Sequence, residues 1–392
     1  MASSETARDI NRRIIMNLVH KHQPVSRASL ARISGMQRST VSAIAEQLIA
    51  QRWLVEGAVG HLPRGRKPTF LQLNSDRAGI IGVEIQPTTT IVALATIDMR
   101  ILAHESVPTG YDPNNFIERL GRRINDLKHA YPNNSYEGIG ISLPGRVDLA
   151  TQRLTFAPNL NWSDVDFRTP LEKITGLPVE LENAANACAL AELWSGRHGS
   201  RVAHLVTVTV SEGIGVGMIM NGQLLRGAQG VAGEFGHVTL DANGPLCRCG
   251  NRGCWEMMAS NSAAVRFYGE FSSRRMRDVS SKSNMSPVPF TDLLRLVEQG
   301  DVKACKALDQ MAGYLGTGLA LLVTGLAPDV LVVVGDVTRA WKRVQPIIEK
   351  AIRQRSFTHA PTTILAADPE NLPRLRGAVA LVAHKHFIMP QI

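Results

Sequence analysis

The spacing of apolar positions along the chain changes near residue 75. Before it, Ile10, Ile14 and Leu18 recur at i, i+4 and i+8, which predicts a helix with a single apolar stripe, ended by Pro24. Ser26 is a candidate N-cap for a second helix carrying Leu30 and Ala31, Gly35 marks a turn, and Val41, Ile44, Leu48 and Ile49 give a third helix its inward face. A small residue at a helix crossing, a glycine able to take positive φ and a branched residue behind it are what a helix-turn-helix requires, and Ala31, Gly35 and Val41 supply them. Trp53, Val55, Phe70, Leu71 and Leu73 then alternate around a tip rich in Gly, Pro and Arg, predicting a β-hairpin wing.

From about residue 79 the pattern becomes one of buried strands alternating with helices. "GIIGVEI" and "TIVALATID" predict a hairpin, "FIERLGRRINDLKHAY" an amphipathic helix, and "YEGIGISLPG" a strand running into a turn. "PVELENAANACALAELW", "HLVTVTV", "GIGVGMIMNGQLL", a long helix near 301 to 327 and "VLVVVGD" follow. Continuous apolar strands between helices predict an α/β fold with a covered sheet. The low-complexity stretch 272 to 287 predicts a surface connection.

Length adds that 392 residues exceed one ordinary core, so two or three domains are expected. Five cysteines, no apolar leader in the first residues and no apolar run of about eighteen residues predict a soluble, cytoplasmic protein with no membrane insertion. Charge sharpens the picture more. Residues 1 to 75 hold eleven Lys and Arg against four acids, a net +7, and the rest of the chain carries only +2 of the total +9. A basic head on a nearly neutral body implies an anionic polymer as partner, here double-stranded operator DNA, although a solvated basic face would give the same count. Gln37, Arg38, Ser39, Thr40 and Ser42 are the outward residues of the third helix and candidates for base edges and phosphates. Arg64, Arg66 and Lys67 on the wing tip are candidates for a minor groove or phosphate, with a disordered basic linker as the alternative.

"HVTLDANGPLCRCGNRGCWE" places His237, Cys247, Cys249 and Cys254 in one glycine-rich stretch. Three thiolates and an imidazole complete the tetrahedron zinc prefers and leave no position open, so a structural Zn2+ is expected; a redox thiol cluster is the competing reading. Cys188 and Cys305 lie in apolar helical stretches and read as core residues.

"ISLPGRVD" (141 to 148), "ENAANACALAE" (182 to 192), "GIGVGMIMNGQLLRGAQGVAGEFGH" (213 to 237) and "CRCGNRGCWE" together resemble the ROK family of repressors, open reading frames and kinases. The resemblance implies a two-lobed actin/hexokinase-like body behind the winged helix-turn-helix. Its expected division is 1–75, 76–190 and 191–392, with the last helix packing back on the first lobe. It also implies sugar contacts from Asn183, Glu234, His237 and Glu256, types suited to hydroxyls that both donate and accept. The family's kinases place a catalytic Asp directly after that Asn; here the residue is Ala184, and a methyl group cannot accept a proton. Where the family has glycine-rich phosphate loops, this chain has Glu84-Ile85-Gln86-Pro87-Thr88-Thr89, Glu212 before Gly213, and Asp336. The resemblance therefore points to a sugar-responsive regulator, a repressor working as a homodimer or homotetramer, without enzymatic activity. An active ATP-dependent sugar kinase with a DNA-binding head, a sugar-independent zinc-containing DNA binder, and a protein effector docking near the zinc loop are the alternatives.

Overall fold

The computed structural model describes residues 4–59, 69–132, 135–148, 150–195, 198, 202–273, 288–356 and 362–385. The chain divides into two compact units, one of Met1–Ile141, Asp166–Leu181 and Ala378–Ile392, the other of Ser142–Val165 and Glu182–Gly377.

The first unit begins with helices Ser4–His22, Arg27–Ser34 and Arg38–Ala50. The Ser26 hydroxyl accepts from the Ser29 N–H at 3.1 Å and caps the second helix, and Gly35 closes it in the left-handed conformation at φ 71. The strands Leu54–Val59 and Thr69–Leu73 pair antiparallel, and a two-residue strand, Val25–Ser26, adds to the latter at Leu71 and Phe70. This is the element order of a winged helix-turn-helix.

Burial corrects three expectations within it. The first helix buries Ile15, Met16 and Val19, while Ile10, Ile14 and Leu18 are only half-buried. Two apolar rows run along this helix, and packing against both following helices and the strand Thr69–Leu73 selects the second row. In the third helix Ala45 joins Val41 and Leu48 in the core, and Ile44 and Ile49 stay half-buried. The wing buries Trp53, Leu54, Leu71 and Leu73, leaving Val55 exposed, because the strand begins one residue later than the alternation implied.

A short connection ties this head to the remainder of the unit. The Asn74 N–H donates to Trp53 O at 2.9 Å, and its side chain donates to Arg52 O. The Arg77 guanidinium lies over the Trp53 ring at 3.7 Å, donates to Gln51 O at 3.0 Å and pairs with Glu137. Beyond it lies a five-stranded sheet in the order Val179–Asn183, Ser135–Leu143, Ala78–Ile85, Thr89–Thr96, Ile101–Pro108. The expected hairpin forms, and Ile101–Pro108, which the apolar pattern did not mark, extends it antiparallel. Its alternating half-buried and exposed positions make a weak apolar signal, as an edge strand should.

The second unit is built on a sheet ordered Gln223–Leu224, Ile214–Met220, Leu205–Val210, Val330–Val334, Thr363–Ala366. Leu205–Val210 and Val330–Val334 pair in parallel and are buried throughout, which explains the unbroken apolar run of the second and the β-branched Val/Thr alternation of the first, whose Thr207 and Thr209 hydroxyls donate to backbone carbonyls. The helix Val302–Leu326 fills the core beside them. Gly318 on that helix has room only for hydrogen: a Cβ there would stand 1.9 Å from the Trp255 indole. A three-stranded sheet of Arg146–Asp148, Arg153–Ala157 and Trp162–Val165 was not foreseen, its strands being too short to show a period.

The boundary expected at 190/191 falls instead between Leu181 and Glu182. The helix Ala184–Ser195 packs on the strands of the second unit, with the Thr207 hydroxyl donating to Ala185 O at 2.9 Å. Ala378–Ile392 groups with the first unit, and the head groups there too. Cys188 is buried as expected, whereas Cys305 is only partly so. Of the low-complexity stretch 272–287, Ser272 and Ser273 belong to the helix Asn261–Ser273, and 274–287 lie outside the described residues. Among the described residues no helix is long and apolar enough to cross a membrane.

Candidate functional site

A 3₁₀ turn, Glu234–His237, and a glycine-rich loop, residues 238 to 254, assemble the His/Cys cluster in the second unit. The loop is folded by its own backbone: Cys247 N donates to Asn251 O at 2.7 Å, Gly253 N to Pro245 O at 2.8 Å and Trp255 N to Val238 O at 2.9 Å. Gly253 takes φ 60, and a Cβ there would meet Asp241 O at 1.6 Å, so only glycine can turn the chain at this point. Trp255, buried and donating from Nε1 to Tyr314 O, fastens the end of the loop to the long helix.

The ligand atoms of His237, Cys247, Cys249 and Cys254 lie within 4.8 Å of one another. Cys249 Sγ and Cys254 Sγ are 3.6 Å apart, as are Cys247 Sγ and His237 Nδ1. Zn–S bonds of about 2.3 Å and Zn–N bonds of about 2.0 Å at tetrahedral angles give edges of roughly 3.5 to 3.8 Å, which these two pairs match, and the set could hold a metal ion. Burial, reinforced by hydrogen bonding to neighbouring acidic groups, raises the Cys247 thiol well above the usual range, and burial raises Cys254 in the same direction. Burial pushes Cys249 up as well, but hydrogen bonds from Asn251 N–H and from the other two thiols outweigh it and the net shift is downward.

The four expected sugar contacts are placed unequally. His237 presents Nδ1 to the thiols and to Glu256 Oε1 at 3.5 Å, and Nε2 toward Glu234 Oε2 at 3.7 Å, so its two nitrogens face different partners. Glu256 is mostly buried, accepts from Cys247 Sγ at 3.1 Å, and lies so close to Gly213 that a Cβ there would stand 2.7 Å from Oε2. Glu234 is largely exposed. Asn183 is turned elsewhere: Oδ1 accepts from the Ala185 N–H at 2.8 Å, starting the helix Ala184–Ser195, and Nδ2 donates to Gly145 O at 2.8 Å.

A continuous run of neighbours nevertheless joins Asn183 to the others. Gly145 backs onto Phe156 O and Ala157, where a Cβ would stand 2.4 Å and 2.8 Å away. Two residues on, Asn159 accepts from Arg248 Nη1 at 2.9 Å and points Nδ2 toward Gly213, beside Glu256. Asn159 and Arg248 were not selected from the sequence. The turn carrying Asn159 is bounded by the buried Ala157, Leu160 and Trp162, a local signal of a fixed polar residue.

The chain matches the ROK family over residues 80–385. The chain belongs to the ROK family. It is 28% identical over 368 residues to the xylose repressor of Bacillus spizizenii, covering 91% of this chain and 90% of that one. It is 33% identical over 279 residues to the glucokinase of Thermotoga maritima, covering 70% and 87%. A solved ROK family transcriptional regulator, a homolog of the E. coli MLC protein, superposes with TM-score 0.81 at 24% identity, covering 97% of this chain and 98% of that one. At 91% and 97% of this chain, the repressor and regulator matches reach into the N-terminal head.

The segments expected from the sequence to be altered phosphate loops hold side chains with partners in the protein. Glu84 is buried and accepts from Gln86 Nε2 at 2.6 Å, while Gln86 O accepts from the Thr109 hydroxyl at 2.7 Å. Asp336 pairs with Arg339 at 3.4 Å, and Arg339 pairs in turn with Glu370 at 2.7 Å.

In the head, Gln37 stands at the N-cap of the helix Arg38–Ala50 without a side-chain cap bond. Gln37, Arg38 and Ser39 are exposed, and Thr40 and Ser42 are half-buried. The first N–H groups of this helix therefore face outward with small polar side chains around them, an arrangement suited to phosphate oxygens and base edges. Arg64, Arg66 and Lys67 lie outside the described residues.

Proposed function

We propose that this ROK protein is a cytoplasmic, sugar-responsive transcriptional repressor whose ligand-binding body lacks phosphoryl-transfer activity. The observation that carries the reading is a pairing: a helix-turn-helix with an exposed recognition-helix start, and an acid and imidazole cluster built on a His/Cys set able to hold a metal ion, beside Asn159. DNA is read by Gln37, Arg38, Ser39, Thr40 and Ser42, with Arg64, Arg66 and Lys67 adding phosphate contacts. The sugar is held by Glu234, His237, Glu256 and Asn183. Zinc supplies no chemistry to the ligand; bound by three thiolates and His237 Nδ1 it holds the loop in shape, leaving His237 Nε2 and Glu256 to meet hydroxyls. D-xylose is the first effector to try, given the name of the repressors that match nearly the whole chain.

Ala184 carries the non-enzymatic part of the reading. It stands where the family's kinases place the carboxylate that takes the proton of the attacking hydroxyl, and Gln86, Pro87 and Asp336 stand where those kinases have phosphate-loop glycines, with Glu212 adding negative charge in the second loop. Two heads on one DNA imply a homodimer or homotetramer. The test is a coupled ATP-turnover assay with a monosaccharide panel beside a DNA-binding titration on the zinc-replete protein. The repressor reading expects DNA binding that one sugar weakens and no sugar-dependent ATP consumption. Sugar-dependent turnover would restore the kinase.

A further inference from the structure

One charged pair in the second unit is not accounted for by zinc, by DNA or by the four ligand contacts. Glu182 precedes Asn183 and is almost fully buried, its side chain 5% exposed. Its Oε1 accepts from the Asn183 N–H at 3.0 Å and from Asn186 Nδ2 at 3.1 Å, and its Oε2 accepts from Arg226 Nε at 3.1 Å. A buried carboxylate is costly unless paired and hydrogen-bonded, so this one is held in a single geometry by three donors from two segments.

Arg226 opens the segment that ends in Glu234 and His237. That segment turns repeatedly: Gly227, Gly230 and Gly233 take positive φ, which glycine adopts freely, and Gln229 takes φ 54 with a side chain, the one strained position. Its internal bonds are few and long at the tip, with Gly230 N to Gly227 O at 3.4 Å and Val231 N to Ala228 O at 3.2 Å. The firmer bond, Ala232 N to Arg226 O at 2.9 Å, closes the loop back on Arg226 itself. The far end is held by Gly233 and Gly236, which rest on Val216 O and Ile214 O too closely for any side chain. At the near end the Leu225 N–H donates to Met218 O at 2.8 Å, so the backbone is pinned just before Arg226, and the Arg226 side chain is what holds the first residue of the loop itself.

We propose that the Glu182–Arg226 ion pair, a buried carboxylate holding a half-buried guanidinium, is the positioning element of the ligand site. One carboxylate sets the strand end that presents Asn183, through the Asn183 N–H, and the base of the loop that presents Glu234 and His237, through Arg226. Both sides of the site are thereby referred to one buried group, and neither partner need touch the ligand. The role of the pair toward sugar rests on the reading of this cluster as a sugar site; its role toward the loop does not.

The experiment uses the full-length zinc-replete protein, its Glu182→Gln, Arg226→Gln and Arg226→Lys variants, and the Glu182→Gln/Arg226→Gln double variant. The first readout is hydrogen exchange in peptides covering 226 to 237, with the strand Leu205–Val210 as the check that each variant is folded. Exchange of the loop is expected to rise at least tenfold in each Gln variant, to rise no further in the double variant, and to return most of the way in Arg226→Lys, which keeps the charge. The second readout is calorimetric binding of D-xylose and D-glucose, where the Gln variants are expected to bind at least tenfold more weakly and Arg226→Lys less than threefold. Loop exchange unchanged within twofold, or single effects that add in the double variant, would overturn the proposal. Should the wild-type protein bind neither sugar, the sugar reading fails by itself, and the exchange measurement still decides whether the pair positions the loop.

Discussion

Two regions of this chain arrange their polar groups in opposite ways. The segment from Glu234 to Glu256 spends its glycines on close approach: Gly236 on Ile214 O, Gly244 on Gly253, and Gly253 on Asp241 O. The result is a metal-shaped cluster whose outer groups, His237 Nε2 and Glu234, remain accessible. The segments around Glu84 and Asp336 gather nothing around a common centre. Glu84 is buried and bonded to its neighbour Gln86, Pro87 offers no N–H, and Asp336 pairs with Arg339 at the surface. One region collects its polar groups from several turns, and the other pairs them off locally.

The sharpest way to break this comparison is to remove the metal geometry. Cys254→Ala takes away a buried ligand at the foot of Trp255, and loss of the zinc should cost on the order of 5 kcal/mol of stability, seen as a large drop in melting temperature that added zinc does not restore. The effect carries a sign in pH. Cys247 and Cys254 sit above their usual range in the metal-free fold, so they hold protons near neutral pH that zinc must displace. A raised folded-state thiol value stabilises the metal-free fold below the unfolded thiol value of about 8.5 and is lost above it. The melting-temperature difference between zinc-loaded and zinc-free protein should therefore widen as pH rises from about 6 to about 9. A difference that narrows over that window would contradict the assignment of these thiols as ligands.

Gly253→Ala should act nearly as strongly without touching a ligand, costing roughly 3 to 4 kcal/mol and lowering zinc content, because a Cβ at φ 60 would collide with Asp241 O. Glu256→Gln is the milder probe. It keeps shape and zinc while changing one hydroxyl acceptor into a donor, and a tenfold weaker sugar affinity with an unchanged melting temperature is the expected calorimetric result, about 1.4 kcal/mol. Smaller still is Asn183→Ala, expected to lose about 1 kcal/mol as a helix cap, measured by denaturant unfolding. An Asn183→Ser variant, which can still cap but cannot reach Gly145 O as a donor, separates its structural part from its ligand part.

Much of this was legible in the chain because it is local. The Ser26 cap, the Gly35 turn, the paired runs of Ala78–Ile85 and Thr89–Thr96, and the His/Cys spacing each depend on residues within about twenty positions of one another. What the sequence did not show is what depends on distant partners. The choice of Ile15, Met16 and Val19 over Ile10, Ile14 and Leu18 is made by a strand some fifty residues later. Asn159 becomes part of the site only because Arg248 reaches it and Gly213 passes beside it. Asn183 was legible as a motif residue but not as a helix cap, since that use depends on where the following helix starts. The short strands of 146 to 165 carry too few residues for any period, and Arg77 gives no sign in the sequence that it lies over Trp53 and pairs with Glu137.

The central claim is that sugar binding and DNA binding are linked within one non-enzymatic protein, and the most direct test is a reciprocal titration. DNA fragments selected by the protein from a random pool are titrated with and without saturating D-xylose, D-glucose or an N-acetylated amino sugar, and each sugar is titrated with and without the fragment. The account predicts that one sugar lowers DNA affinity at least tenfold, that the fragment lowers affinity for that sugar by the same factor, and that ATP changes neither. DNA affinity indifferent to every sugar that binds, or a sugar effect that appears only as ATP is consumed, would contradict it.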